Sequence, residues 1–283
     1  MLHISKFKKN FISIFLLAIV LIITIFTLKQ FISNDKTKDN NPITEKTTSR
    51  PAIGVASMQD NDWFNTWANK DDMTVYFGNE LDFSQIKRPP IGKVAWNVPN
   101  FSTVIKTKNL WLNKIDVIIY DYEMWDNTPQ DEKDNPDVVA KTAQSFADEN
   151  SKEFIFGTSW RMAVSGISVT EIRKANGNID WSKYLDKDRI MKIVSNVNNY
   201  GVNATGLRDE FPNAYVDFIN AITDYAVQVN PDINIVPVLD TRSTSAEEMF
   251  NMYKSFKSDV KLILIMGTVK DQPNINKFIN IFN

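Results

Sequence analysis

The 283 residues contain no cysteine, and the only histidine is His3. With the globular part lying beyond the first residues, these two gaps exclude disulfides, Ser-His-Asp and Cys-His nucleophile systems, and zinc sites built on His or Cys. An excess of charge of one sign is also missing. There are 32 Lys plus Arg against 34 Asp plus Glu, a formal charge of −2, so a nucleic-acid partner has no electrostatic support. Chemistry in this chain falls to carboxylates, Tyr, Lys, Ser/Thr or a hard metal ion.

Long apolar runs are scarce as well, with one exception. Phe11–Leu28 is a stretch of 18 uncharged, mostly apolar residues behind Lys6, Lys8 and Lys9. Its length is at the short end of what spans a bilayer as a helix. A cleaved signal peptide is the rival reading, but the run exceeds a usual signal core and the flank LKQFISND offers no small-x-small cleavage site. The lysines place residues 1–10 in the cytoplasm by the positive-inside rule, with the rest outside. The expectation is a single-pass cell-membrane protein, with residues 11–28 as anchor and an extracellular globular domain. Residues 29–50 read as a flexible polar stalk, because from 33 to 50 the only apolar side chain is Ile43. From 51 to 283 the composition is that of one large core.

Within that domain short apolar runs alternate with helical patterns. The predicted strands are Ala52–Ala56, Met73–Phe77, Lys93–Val98, Ile115–Glu123, Glu153–Thr158, Asn203–Leu207, Ile233–Asp240 and Val260–Met266. Asn135-Pro136 supplies a helix cap and a proline at the first helical position. Ser245 and Glu248 form a capping-box pattern. Tyr215, Phe218, Ile219, Ile222, Ala226 and Val229 recur at helical spacing up to Asn230-Pro231. Strands alternating with helices imply a parallel sheet, and eight repeats predict an α/β fold of the closed (β/α)8 TIM-barrel type. An open doubly wound sheet fits if one or two early strands are misread.

In a barrel the site lies at the C-terminal ends of the strands. The run IDVIIYDYEMW ends an apolar strand in Asp121 and Glu123. Alternate strand residues share a face, so the two acids project together with Cα atoms roughly 6–7 Å apart. Neighbouring carboxyls push each other's proton affinities apart, which suits acid/base work. Other polar or aromatic residues fall at the same end: Trp96 and Asn97, Trp125, Trp160 and Arg161, then Arg208, Asp209 and Glu210, then Asp240 with Arg242. Indoles stack on pyranose faces and carboxylates bind hydroxyls, so the others become substrate-binding candidates, while Asp240 joins Glu123 and Asp121 as a catalytic candidate for the second carboxylate across the bond, a place that Asp209 or Glu210 could also take. Each has a structural alternative. Asp121 serves equally as a loop cap, Glu123 as a partner of Arg161 or Arg208, and Asp240 as an acceptor for its own Thr/Ser-rich loop. Trp63, Trp67 and Trp111 lie in helical patterns and read as core.

The segment from Asp116 through Ile119 and Asp121 to Glu123 resembles the D-x-x-D-x-D-x-E motif on the fourth strand of the chitinase and endo-N-acetylglucosaminidase family. That resemblance implies Glu123 as general acid and Asp121 as the residue orienting a substrate acetamido group. Ile119 stands in place of the motif's middle Asp and Val117 in place of its usual Gly. The acid pair also resembles that of barrel-fold bacterial muramidases. The longer run YDYEMWDNTPQDEKDNP is similar to a group of uncharacterised bacterial barrel proteins with W-x-x-T-P and E-x-x-x-P spacing.

Three function classes follow. The first is a membrane-anchored glycoside hydrolase acting on poly- or oligosaccharide, as cell-wall or extracellular glycan, with no cofactor. The second is a non-catalytic barrel that binds glycan or a surface partner. The third is a hydrolase holding Mg²⁺ or Ca²⁺ on Asp121, Glu123, Asp209 and Asp240.

Overall fold

The computed structural model describes residues 50–56, 60–257 and 260–282. The expected anchor, and the expected stalk as far as residue 49, lie outside the described residues. Among the described residues no helix is long and apolar enough to cross a membrane.

Eight parallel strands close into a barrel in sequence order. They are β1 (Ala52–Ala56), β2 (Met73–Phe77), β3 (Lys93–Val98), β4 (Val117–Tyr122), β5 (Glu153–Ser159), β6 (Asn199–Asn203), β7 (Asn234–Asp240) and β8 (Leu262–Met266). The sheet closes where β1 pairs with β8, from Ala52 opposite Leu262 to Ala56 opposite Met266. Strand alternation gives the barrel two apolar layers. Met73, Val75, Ala95, Val117, Ile119, Ile155, Val236, Val238 and Leu264 fill the lumen. Ile53, Val94, Trp96, Ile118, Tyr120, Phe154, Phe156, Tyr200 and Ile263 face outward and pack under the helices.

The helices form where the sequence signals them. Pro136 opens the Pro136–Glu149 helix, and its buried face is Val139, Ala140, Ala143 and Ala147. The Ala246–Ser255 helix begins with the expected capping box, since Ser245 accepts from the Glu248 N–H and Glu248 answers it. The Pro212–Val229 helix buries Tyr215, Phe218, Ile219, Ile222 and Ala226.

The sixth strand is the main departure from the sequence reading. It runs over Asn199–Asn203, and the residues expected to continue it form a short helix, Thr205–Glu210. Its lumen-facing positions are Asn199, Gly201 and Asn203, so it offers no apolar run to read. Glycine is required there by close approach: a Cβ on Gly201 would lie 3.1 Å from the Gly157 Cα and 3.1 Å from Ile155 Cγ2.

The barrel floor is fastened at the first described residues. Asp72, fully buried, accepts from the Ile53 N–H at 2.7 Å and the Asn69 N–H at 2.6 Å, and pairs with the Arg50 guanidinium at 2.5 Å. Asp116, the first residue of the motif-like segment, also belongs to the floor. It accepts from the Val94 N–H at 2.9 Å and pairs with Arg88 at 2.8 Å, at the opposite end of β4 from Asp121.

Candidate active site

Asp121 is the penultimate residue of β4, on the lumen-facing register of Val117 and Ile119, and Glu123 follows just past the strand end. Burial, and then the charge of Glu123, push the Asp121 carboxyl up to about 7. Burial also raises Glu123, while the nearby Ser159 hydroxyl and the Arg161 guanidinium partly restrain the shift. Ser159 lies close enough to favour the ionised form, although its Oγ meets ordinary hydrogen-bond geometry with no group. Among the described residues no cation is within ion-pair distance of Glu123. Two acids that hold their protons unusually tightly therefore share one face of one strand end.

Glu123 lines a cavity of about 450 Å³ with Met124, Trp125, Ser159, Trp160, Arg161, Asn203, Thr205 and Gly206. Trp125 is 48% exposed at its rim. The Arg161 guanidinium lies over the Trp160 ring, 5.6 Å from its centroid. Asn203 ends β6, and its Oδ1 accepts from the Thr205 N–H at 3.3 Å and from the Thr205 hydroxyl at 3.0 Å.

The loop after β4 is tied down by Thr128, which is almost fully buried. Its Oγ1 receives the Glu123 N–H at 3.4 Å and donates to the Asp121 carbonyl at 3.3 Å, so one hydroxyl bridges the backbone of both acids. Behind the loop, the buried Glu132 carboxylate accepts from the Phe101 and Ser102 N–H groups and from the Tyr120 hydroxyl. The Tyr122 hydroxyl donates to the Lys133 carbonyl at 2.8 Å.

Of the sequence-predicted site residues, Glu123, Trp125, Trp160 and Arg161 come together on the cavity, with Asp121 directly beneath in the lumen. The others do not join them. Trp96 is a correction: its register turns it outward, where it is fully buried, donates to the Gly78 carbonyl at 2.7 Å and packs edge-on against Phe83. Asn97 takes the lumen-facing position at the top of β3, pairing in register with Ile119 and not lining the cavity. Asp240 is fully buried and spent on its own loop, accepting from the Arg242 backbone N–H at 2.8 Å and from the Arg242 guanidinium. Arg208, 2% exposed, donates to the Asp240 carbonyl at 2.6 Å and to Asp209 and Ser243, holding two loops together instead of meeting ligand. Glu210 closes the short Thr205–Glu210 helix. The four acids expected to ligate a metal thus do not converge, and among the described residues no group of three or more such side chains is placed to hold one.

Asn203 and Thr128 are site residues that the sequence reading did not select; Ser159 stands at the strand end that it marked with Trp160 and Arg161. Asn203 was hidden by the displaced sixth strand, since a strand ending there would have put it on the rim. Thr128 sat in view inside the W-x-x-T-P run.

The fold and site define a (β/α)8 barrel with a carboxylate-bearing cavity at the C-terminal ends of β4, β5 and β6. No family model matches the chain, and no curated protein matches it in sequence. Among solved structures it is similar to orotidine 5'-monophosphate decarboxylase from Methanocaldococcus jannaschii, at 11% identity over 82% of this chain and 99% of that one, with a TM-score of 0.43. It is also similar to the carboxyl transferase domain of Rhizobium etli pyruvate carboxylase, at 10% identity over 77% of this chain and 40% of that one, with a TM-score of 0.48. A third likeness is to RipC from Yersinia pestis, at 7% identity over 83% and 96%, with a TM-score of 0.44.

Proposed function

We propose that this chain is a glycoside hydrolase acting on cell-wall or extracellular glycan, with Glu123 as general acid and Asp121 as its helper. One observation carries the reading: Glu123, with raised proton affinity, stands at a cavity walled by the indoles of Trp125 and Trp160, with the raised Asp121 on the strand end next to it. A raised carboxyl is what protonating a leaving-group oxygen near neutral pH requires.

Which mechanism suits the site follows from what lies opposite Glu123. Retaining and inverting enzymes of the ordinary kind need a second carboxylate across the scissile bond. Asp209 and Asp240 are engaged elsewhere, and Glu123 is the one acid among the residues lining its cavity. Hydrolysis of a 2-acetamido sugar avoids that need. Glu123 donates its proton to the glycosidic oxygen as the C1–O bond breaks, and the substrate's own acetamido oxygen bonds to C1. Asp121 holds the acetamido N–H. Water then adds at C1 as the bond from C1 to the acetamido oxygen breaks, and gives a proton to Glu123, restoring the acid and the acetamido group.

The same single-sided arrangement favours a second reading, a glycan-binding barrel without turnover. The two are separated by product release. Full-length protein is incubated with peptidoglycan, chitin oligosaccharides and a neutral polysaccharide panel, and products are read by mass spectrometry. The hydrolase predicts products from the native chain, and a loss of at least roughly 10³-fold in Glu123→Gln with unchanged folding. Saccharide binding with no products from either protein establishes the binding barrel instead. The membrane-anchored, extracellular placement belongs to this proposal and rests on the Phe11–Leu28 segment.

A further inference from the structure

We propose that Ser159, Trp160, Arg161 and Asn203 form a subsite for a sugar ring carrying a carboxylate, next to the bond on which Glu123 acts. The inference rests on the glycan reading and specifies the substrate class. Its ground is a set of hydrogen-bond donors lacking acceptors along one wall of the cavity. Ser159 is 5% exposed, lines the cavity, and has a hydroxyl with no hydrogen-bond partner. A buried hydroxyl left unpaired is a group that a ligand oxygen would satisfy. Thr205 occupies the Asn203 Oδ1, which leaves the Nδ2 protons without an acceptor among the described residues. Arg161 is exposed and makes no ion pair among the described residues, and its guanidinium lies against the Trp160 indole.

Charge and shape select the ligand. A guanidinium presents a planar fork that fits a carboxylate through two parallel hydrogen bonds, whereas a neutral sugar offers it only single hydroxyls. The Trp160 indole beneath holds that fork at the cavity wall through its cation–π contact. The obvious objection is repulsion from the acids on the neighbouring strand. Burial weakens it, since both carboxyls hold their protons to higher pH than usual.

The test uses the full-length Glu123→Gln chain, in which no turnover confuses binding, with titration calorimetry at pH 6 on three tetrasaccharides. One is the neutral N-acetylglucosamine tetramer. The second alternates N-acetylglucosamine with glucuronate, and the third is a peptide-free peptidoglycan glycan whose carboxylates sit on lactyl ethers. The expected result is binding of one or both carboxylated glycans about tenfold tighter than the neutral one, about 1.4 kcal/mol. Adding Arg161→Gln should erase that preference, bringing the carboxylated glycans to within about twofold of the neutral tetramer. Which carboxylated glycan is preferred tells a ring-borne from an ether-borne carboxylate. Equal affinity for all three, or a preference that survives Arg161→Gln, overturns the subsite while leaving the glycan reading intact. Absence of binding to any saccharide, together with no products from the native chain, removes both.

Discussion

Asp121 is the residue at which structure and chemistry pull hardest against each other. Its carboxyl reaches about 7 because burial, and then Glu123, disfavour the charge. Below the ordinary aspartate value near 3.9, folded and unfolded chains both hold the proton. Between there and about 7 the unfolded chain ionises first, so stability falls as pH rises, by up to about 1.4 kcal/mol per pH unit. Above 7 the loss is complete. Asp121→Asn removes the ionisation, and its melting temperature should exceed that of the native chain by roughly 10 °C at pH 8. At pH 3.5 the two should coincide. Thermal melts at pH 3.5, 6 and 8 check this, and a difference independent of pH would contradict the assignment. The same variant should lose activity, the usual conflict between a strained site and a stable one.

At the scale of elements, the loop following β4 decides where Glu123 points. Thr128 bridges Glu123 N–H and Asp121 C=O through one hydroxyl, and no covalent constraint assists it. Thr128→Val keeps the shape but leaves the Glu123 N–H without that acceptor, at a cost of about 1–2 kcal/mol. Small displacements of an acid at a reacting bond are expensive, so kcat should fall roughly tenfold with KM little changed. Thr128→Ser retains the hydroxyl and should restore kcat. If Val and Ser behave alike, the hydroxyl is not what holds the loop.

The elements also show what the sequence could and could not reveal. Strands such as Met73–Phe77 and Lys93–Val98 announce themselves, because β-branched and aromatic residues run between turn residues. The sixth strand does not. A lumen-facing row of Asn199, Gly201 and Asn203 carries no hydrophobic signal, and the eye moves on to Thr205–Glu210, which is helical. That displacement concealed Asn203 and gave Arg208 and Asp209 an apparent place on the rim. The Asp121/Glu123 pair was legible because alternation fixes its face from sequence alone. Trp96 was misassigned by the same rule, since its neighbour Asn97 takes the inward face and the indole goes to the helices. Pairings between distant loops, such as Arg208 with the Asp240 carbonyl, leave no local trace in the sequence.

For the whole molecule, closure is the organising fact. β8 is flanked by β7 and β1, and five register pairs join it to β1. A chain ending at Phe256 lacks β8 and the Gln272–Asn280 helix, which exposes the edges of β1 and β7 and removes Ile265, the register partner of Val55 and Leu239. Such open edges pair with other chains. The truncated chain should form aggregates on gel filtration and lose its cooperative melt; a monomer with a sharp transition would mean the barrel tolerates an open seam.

The buried carboxylate of Asp72 has a mechanical consequence. It clamps Arg50 and the start of β1 at the floor, the end of the barrel remote from the cavity. Fraying of the leading end must therefore break the Arg50–Asp72 ion pair before it reaches β1.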